Sequence, residues 1–474
     1  MDSLSFDVKD LILSLIPTRE ELLPLAFASR SWYSLIVPRH TEYRKLHLSF
    51  AHPEVWAHLA ERADLASNIR EVRLGKWNPQ AEKEIYSKTV VSVDCYEDGD
   101  VSQALRNMTN LLEFVWISPW LPFQATGKDP YAPIFQALQE SRTLKKLSIH
   151  HEREPEDDEV PLSGQTIQPL YLKLASRASR FPLWSVANLT SLTLFGNWAT
   201  PHSDAITSML FLSLCLEELS IFVNEVDCPG FTSCHFPHLR KLYTVRIRKE
   251  SIANISTANL DAPMLAFLAA HPTIEDLRWY PLLHDHYGLS SGMLPKLRRI
   301  ESHHGFILAL LSVATSGTRT LESLSKIFLR ADTFEYLENV DPTSLRELEV
   351  SFCGDNRLLP RVAAMFPNIT RLTVQGVHYS PIPDTFEEFI PFLASFTSLE
   401  TLWDASMWEI FNWSKQADKD LLINKVARAC PRLKELYYCD RLFTESLRIR
   451  LTLIRSARED TVKYKLEQGA GGEE

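Results

Sequence analysis

Glycine is scarce in this sequence, with 15 among 474 residues. Phosphate-binding loops need glycines at fixed spacing. The Gly127-Lys128 pair has Pro122 and Asp129 where such a loop has Gly and Ser or Thr. The zinc-protease pattern His-Glu-x-x-His is also absent from the sequence. We therefore expect a protein that is not an enzyme and that needs no cofactor.

Cysteine is equally sparse, and its seven copies are odd in number and scattered. This usage favours reduced thiols in the cytoplasm, the nucleus or both over a disulfide framework. The start, MDSLSFDVKD, has no cationic segment of the kind that opens a secretory signal. The longest strongly apolar stretch, FILALLSVA, is too short to cross a bilayer, so we expect no membrane partner.

Basic residues are outnumbered, 50 against 60 acidic ones, which gives a net charge of −10. No basic stripe marks a nucleic-acid binder. Two groups have metal-ligand residue types, namely His284-Asp285-His286 and Cys228 with Cys234-His235. Both lack the further ligands that a metal site requires, so we expect none.

One short pattern recurs throughout the chain: apolar, two residues, apolar, one residue, and often a third apolar residue. There are 13 copies, and four of them start at intervals of 24 residues, from Leu297 to Ile369. The copies are IREVRL, LLEFVW, LKKLSI, LTSLTL, LEELSI, LRKLYT, IEDLRW, LRRIES, LESLSK, LRELEV, ITRLTV, LETLWD and LKELYY.

Each copy predicts a short strand, because alternate residues of a strand point to the same face. The segments before several copies, such as IFQALQES and LLINKVARAC, have apolar residues at helical spacing. Helix-then-strand units cannot bury their apolar faces singly, but stacked neighbours bury them together in a parallel sheet. An alternative is a compact α/β fold with parallel strands at irregular spacing.

The pattern resembles the leucine-rich repeat, whose period is about 20–29 residues. That family also has Asn or Cys three positions after the last strand leucine, where Asn197, Asn224 and Cys353 match and most copies do not. The resemblance implies an α/β solenoid, or horseshoe, with the parallel sheet on its concave face.

The first fifty residues predict three short helices instead of strands. Residues 6–16 have amphipathic spacing up to Pro17, Thr18 and Glu21 form a capping box, and a third helix begins at Ser29 and ends before Pro38. Such a small unit generally needs a partner surface.

This segment resembles the F-box, at Leu4 to Val8, Ile16-Pro17, Ser29-Arg30-Ser31-Trp32, Pro38 and Tyr43 to Leu46. Ser5 and Asp7 stand where the family has Pro and Glu. The resemblance implies docking to the adaptor of a cullin–RING ubiquitin ligase, with a protein substrate held by the repeats. The adaptor-binding residues by this resemblance are Leu4, Val8, Leu11, Ile12, Ile16, Leu22 and Trp32. Some of them, Trp32 included, have a second interpretation as packing between the helices or against the first repeat.

The middle residues of the strands should form one row on the face opposite the buried leucines. Exposed aromatic residues are enriched in binding hot spots, so the row predicts substrate contacts towards its C-terminal end. The candidates are Tyr243, Arg278, Trp403 and Tyr437.

We expect an F-box-like module at 1–50, repeats at 51–455 and a polar, disordered tail at 456–474. The expected function is that of a substrate-recruiting F-box subunit. The alternative is a repeat scaffold whose N-terminal helices only cap the array and have no ubiquitin role. Some F-box repeat proteins bind a small molecule on the concave face, and nothing in this sequence marks such a site.

Overall fold

A computed structural model provides the coordinates of the chain. It describes residues 4–5, 8–9, 12–13, 16, 19–37, 44–48, 52–75, 99–118, 131–151, 181–198, 203–224, 230–247, 261–281, 287–313, 318–353, 357–374, 386–404, 416–439, 448–455 and 462–469.

The fold is α/β, with sixteen strands and thirteen α-helices among the described residues. The chain divides into two compact units. The first contains residues 1–239 and 244–253, and the second contains residues 240–243 and 254–474. In each unit the strands follow one another in the sheet in the order in which they occur in the chain. This order and the helix-strand alternation confirm the α/β class with a largely parallel sheet.

The described residues of the first unit form six complete strands, and each pairs in parallel with the next. They are β1 (Lys45–Leu48), β2 (Glu71–Gly75), β3 (Glu113–Ser118), β4 (Lys146–His151), β5 (Ser191–Trp198) and β6 (Glu218–Asn224). The strand β7 (Lys241–Ile247) has residues in both units. The helices are α1 (Arg19–Ala28), α2 (Arg30–Ile36), α3 (Pro53–Glu61), α4 (Ala63–Ala66), α5 (Asp100–Asn107), α6 (Ala132–Glu140) and α7 (Ser203–Phe211).

The second unit continues the helix-strand alternation. Its strands are β8 (Asp276–Trp279), β9 (Arg299–Ser302), β10 (Ser323–Leu329), β11 (Glu347–Cys353), β12 (Arg371–Val374), β13 (Thr401–Asp404), β14 (Glu435–Cys439), β15 (Arg448–Arg455) and β16 (Val462–Gly469). Its helices are α8 (Ala262–Ala270), α9 (His304–Ser312), α10 (Thr333–Leu337), α11 (Leu358–Met365), α12 (Phe386–Leu393) and α13 (Gln416–Ala429). Strands β8 to β14 pair in parallel, whereas β14, β15 and β16 pair antiparallel.

All thirteen predicted strands are present, and each begins two residues after the first apolar residue of its copy. The physical basis is visible in β12, where Leu372 and Val374 are buried and Thr373 between them is half-buried. The predicted helices before β4, β8, β13 and β14 are present as α6, α8, α12 and α13. Aromatic residues fill the space between helices and sheet, as where Trp279 meets Phe306 edge to face at 4.9 Å.

A repeated main-chain contact sets the register within each unit. The carbonyl oxygen of the second residue of a copy accepts the N–H groups of two residues at the start of the next strand, as Arg298 does from Glu322 (2.7 Å) and Ser323 (3.1 Å). The same carbonyl position is occupied by Arg346, which accepts from Thr370 and Arg371. From Arg240 to Arg346 the side chains at this position alternate in charge, and Arg240 pairs with Glu275 through two hydrogen bonds of 3.1 and 2.8 Å.

The prediction of a disordered tail from 456 is wrong for residues 462–469, which form β16. The segment Val462–Gly469 alternates apolar and polar residues at Val462, Tyr464 and Leu466, a strand pattern that its polar composition obscured. Tyr464 also donates a hydrogen bond to Asp420 of α13 at 2.9 Å. At the other end, β1 lies inside the predicted helical module and pairs with β2, so the sheet begins one strand before the first recognised copy.

Candidate functional site

The described N-terminal residues form a small helical unit around one apolar cluster. Ser29 caps α2, because its side chain accepts a hydrogen bond from the Trp32 N–H at 3.3 Å. The next turns then bring Trp32 and two aliphatic side chains inward. The buried members of this cluster are Leu13, Leu22, Ala26, Trp32, Leu35 and Ile36.

The seven residues predicted to bind an adaptor fall into different positions in this helical unit. Leu22 and Trp32 are 0% and 2% exposed and pack inside the cluster. Leu4, Ile12 and Ile16 are partly buried against it. Val8 is 42% exposed, and Leu11 lies outside the described residues. The second interpretation of Trp32, packing between helices, therefore describes its contacts in the free chain.

Two further apolar side chains of the helical unit are exposed and were missed by the sequence analysis. Phe27 of α1 is 78% exposed, and Tyr33 of α2 is 51% exposed. The sequence contained a signal for this exposure, because α1 has apolar residues at the consecutive positions from Leu25 to Phe27. One face of a helix cannot bury three consecutive residues, so one of them must be exposed. Together with Val8, they give three exposed large apolar side chains among the residues of the helical unit that the structure describes.

Two buried cations contact the N-terminal segment and the elements beside it. Lys9 is 5% exposed, donates a hydrogen bond to Ser31 Oγ at 2.7 Å and lies 5.5 Å from the centre of the Trp32 ring. Arg44, just before β1, donates to the Leu13 carbonyl oxygen at 2.7 Å. The main chain of Arg44 also accepts hydrogen bonds from the start of β2. The helices are thereby connected to the first strands of the sheet.

A second candidate site is the row of middle strand residues in the second unit. Strand register places Arg278 beside Glu301, and Glu301 beside Ser325. Further along, the register aligns one residue from each of the strands β11, β12, β13, β14 and β15. This second part of the row is Glu349, Thr373, Trp403, Tyr437 and Arg450. All these residues are half-buried, whereas the leucines beside them are fully buried.

The C-terminal end of the row is aromatic and cationic. The Trp403 and Tyr437 rings stack in parallel, with centres 4.4 Å apart and planes 9° apart. The Arg450 guanidinium lies 5.8 Å from the Tyr437 ring centre and pairs with Glu435. The Tyr437 hydroxyl donates to the same carboxylate at 2.9 Å. Two of the four predicted substrate-contact residues, Trp403 and Tyr437, are therefore in direct contact.

The other two, Tyr243 and Arg278, form a polar network. The Tyr243 hydroxyl donates to Asp276 at 2.7 Å, and Arg278 lies 5.4 Å from the Tyr243 ring centre while pairing with Glu301 at 2.6 Å. Burial, the hydrogen bond to Asp276 and the charge of that carboxylate raise the pKa of Tyr243 above its usual range. Burial also raises the pKa of Asp276, against the opposing effect of the Tyr243 hydrogen bond. The Tyr243 hydroxyl is paired with Asp276 and the Arg278 Nη2 atom with Glu301, whereas the buried Nε of Arg278 has no hydrogen-bond partner among the described residues.

The middle of the row contains a bulge. Ser325 and Lys326 together oppose the single residue Glu349, and Lys326 has a φ of 70°. Such an extra residue turns its side chain to a new direction. The Lys326 ammonium consequently reaches Glu349 at 2.7 Å.

The corresponding row of the first unit is different in character. Register aligns Arg73, Val115, Ser148, Thr193 and Ser220 on neighbouring strands. The Nε atom of Arg73 forms an ion pair with a carboxylate oxygen of Glu71 at 2.5 Å, and Val115 is buried. Charged and aromatic side chains are therefore more frequent in the described row of the second unit.

Other chemical groups were also considered. Residues Gly288 to Gly292 have the Gly-x-Ser-x-Gly spacing of a nucleophile elbow, which requires a strand directly before the serine and a helix directly after it. Here residues 287–298 are turns and irregular chain that lead into β9. Burial raises the pKa of the Cys234 thiol to about 11, and its sulfur hydrogen-bonds to the Gly230 carbonyl at 3.7 Å.

Within the part of the chain that the structure describes, no three His, Cys, Asp or Glu side chains are grouped to hold a metal. Cys228 and residues 284–286, named above as possible ligands, lie outside that part. No described helix is both long enough and apolar enough to span a membrane.

No protein-family model matches the chain, and no curated protein matches it significantly.

Proposed function

We propose that this chain is a substrate-recruiting F-box subunit of a cullin–RING ubiquitin ligase. In this proposal the N-terminal helical unit docks onto the ligase adaptor, and leucine-rich repeats arranged as a horseshoe hold a protein substrate. No catalytic step is assigned to the chain. It would work in the cytoplasm, the nucleus or both.

The observation that carries the proposal is the distribution of apolar side chains in the helical unit. Trp32 and Leu22 fill its interior, while Val8, Phe27 and Tyr33 are exposed. Exposed large apolar side chains on a small unit are typical of a docking surface, and helices bind grooves through such anchors. Leu22 and Trp32 are buried in the free unit, so Val8, Phe27 and Tyr33 are the more accessible anchors for an adaptor.

The second half of the proposal rests on the row in the second unit. Its members are half-buried and combine aromatic rings with charges, as in Trp403, Tyr437 and Arg450. Aromatic and arginine side chains supply most hot-spot energy at protein interfaces. A protein substrate with complementary groups would therefore be recognised along these strands.

The test is co-purification of the full chain with an affinity-tagged ligase adaptor. We expect the wild-type chain to be retained and Phe27→Ser to reduce retention at least tenfold, since it removes the most exposed apolar side chain. Phe211→Ser is the matched control, because Phe211 is 52% exposed on α7 and outside the helical unit. Loss of binding with both variants, or with neither, would count against the proposed surface.

A second candidate function is that of a repeat scaffold capped by the N-terminal helices. The bond from Arg44 to the Leu13 carbonyl favours it, because it ties these helices to the start of the sheet as a cap would be tied. Failure of the wild-type chain to bind, beside a known F-box protein that does bind, would favour the scaffold.

A further inference from the structure

One position in the row of the second unit has a small side chain between two large ones. Thr373 of β12 is aligned with Glu349 of β11 on one side and with Trp403 of β13 on the other. Neighbouring strands are about 4.8 Å apart, so the two flanking residues start about 10 Å from each other. A side chain placed between the two residues makes one carbon–carbon contact on each side, and two such contacts together span about 7–8 Å. The space above Thr373 can therefore hold one flat or linear side chain.

The wall formed by Trp403 is suited to a cation. Tyr437 covers one face of the Trp403 ring, with the two ring centres 4.4 Å apart. On the opposite side of β13 lies β12, which bears Thr373. The faces of aromatic rings attract ammonium and guanidinium groups, with tryptophan the strongest. The same unit already uses this contact, since Arg450 lies over Tyr437 and Arg278 over Tyr243.

The opposite wall is the Glu349 carboxylate, which is within 2.7 Å of Lys326. The register places this carboxylate and the Trp403 indole on the two strands that flank Thr373, and a cation can contact both kinds of group. Lys326 would compete with an incoming cation for that carboxylate. The net charge of −10 adds a long-range attraction for basic partners.

We propose that the space above Thr373, between Trp403 and Glu349, binds an arginine or lysine side chain from a basic segment of the substrate. The inference rests on the second half of the proposed function, substrate binding by the repeats. It specifies the chemistry of that substrate and the position at which one of its cations is held.

The test uses the full chain and an (Arg-Gly)4 octapeptide in isothermal titration calorimetry. A citrulline-for-arginine octapeptide has the same shape without charge, and (Glu-Gly)4 reverses the charge. We expect binding of the arginine peptide, at least tenfold weaker binding of the citrulline peptide and none of the glutamate peptide. Absence of arginine-peptide binding would overturn the inference.

Three variants locate the binding to this space. Thr373→Phe fills it and should weaken binding at least tenfold, whereas Thr193→Phe, the same change in the row of the first unit, should leave it within twofold of wild type. Lys326→Asn removes the competing cation with a residue that tolerates positive φ, and it should tighten binding severalfold. Equal binding by wild type and Thr373→Phe would place the peptide elsewhere and overturn the inference.

Retention on the adaptor, measured for the same proteins, separates the two proposals. Thr373→Phe should bind the adaptor like the wild type, and a wild-type urea unfolding transition shows that its second unit is folded. Adaptor binding without arginine-peptide binding overturns only the present inference. Peptide binding that depends on Thr373, without adaptor binding, supports this inference and counts against the ligase role.

Discussion

Arg44 is 5% exposed, and its guanidinium donates one hydrogen bond to the Leu13 carbonyl oxygen at 2.7 Å, while its Nε and Nη1 atoms have no hydrogen-bond partner among the described residues. Burial, with a smaller effect from the nearby charge of Arg70, lowers the pKa of Arg44 to about 10. A buried cation that is satisfied at only one of its donors destabilises the folded state.

Replacing this cation by an apolar side chain of similar length should stabilise the protein. We expect Arg44→Met to raise the free energy of unfolding by about 1 kcal/mol, because desolvation of the charge is relieved. The Leu13 carbonyl remains satisfied, since it also accepts from the Ile16 N–H at 3.3 Å. Urea unfolding measures the change.

Two controls accompany that measurement. Arg44→Ala should destabilise, because it leaves a cavity where the side chain was. The gain from Arg44→Met should be equal at pH 6 and pH 8, since both pH values lie below the folded and unfolded pKa of arginine. A destabilised Arg44→Met protein would contradict the prediction.

His304 should make stability dependent on pH. Its ring Nδ1 accepts a hydrogen bond from the Phe328 N–H at 3.1 Å and the ring stacks on Phe328. Burial and the charge of Arg330 hold the pKa of His304 below its usual range. The unfolded chain therefore takes up this proton first as the pH falls through about 6.5, and the folded state loses stability there.

The variant His304→Asn keeps an acceptor near the Nδ1 position but cannot be protonated. We expect its urea midpoint to fall less than that of the wild type between pH 7.5 and pH 5.5. His58→Asn, at an exposed histidine of α3, should leave the wild-type pH dependence unchanged. The same slope in all three proteins would refute the role of His304.

Thr333 should contribute stability through a buried hydroxyl. Its Oγ1 donates to the Phe328 carbonyl at 2.9 Å and accepts from the Arg330 N–H at 3.3 Å, closing the turn between β10 and α10. Thr333→Val has the same shape and loses both bonds, so we expect a cost of about 2 kcal/mol in urea unfolding. Thr320→Val, at an exposed threonine, should cost less than about 0.5 kcal/mol.

Trp32 should be required for the folding of the helical unit itself. Trp32→Ala removes the largest side chain of the N-terminal cluster, and such truncations cost about 3–5 kcal/mol. We expect faster amide hydrogen exchange in residues 19–37, measured by mass spectrometry, with little change in β8 to β14. Phe27→Ser, at an exposed position, should leave exchange in the same segment near the wild-type rate.

The sequence predicted the strands well because each depends on a local rule. In IEDLRW, for example, Leu277 and Trp279 are separated by one residue, and both are buried in β8 as that spacing requires. The candidate site was predicted less completely. Trp403 and Tyr437 were identified singly, but their parallel stacking depends on pairing between strands that are 34 residues apart.

The sequence alone therefore determined the alternation of helices and strands and which strand residues face the core, since side-chain direction in a strand follows from period two. Tertiary structure decided that Trp32 is buried while Phe27 is exposed, because burial depends on which helices pack together. It also placed Lys326 against Glu349 through a bulge in β10. Contacts of this kind arise from register and packing between distant segments, which no local pattern encodes.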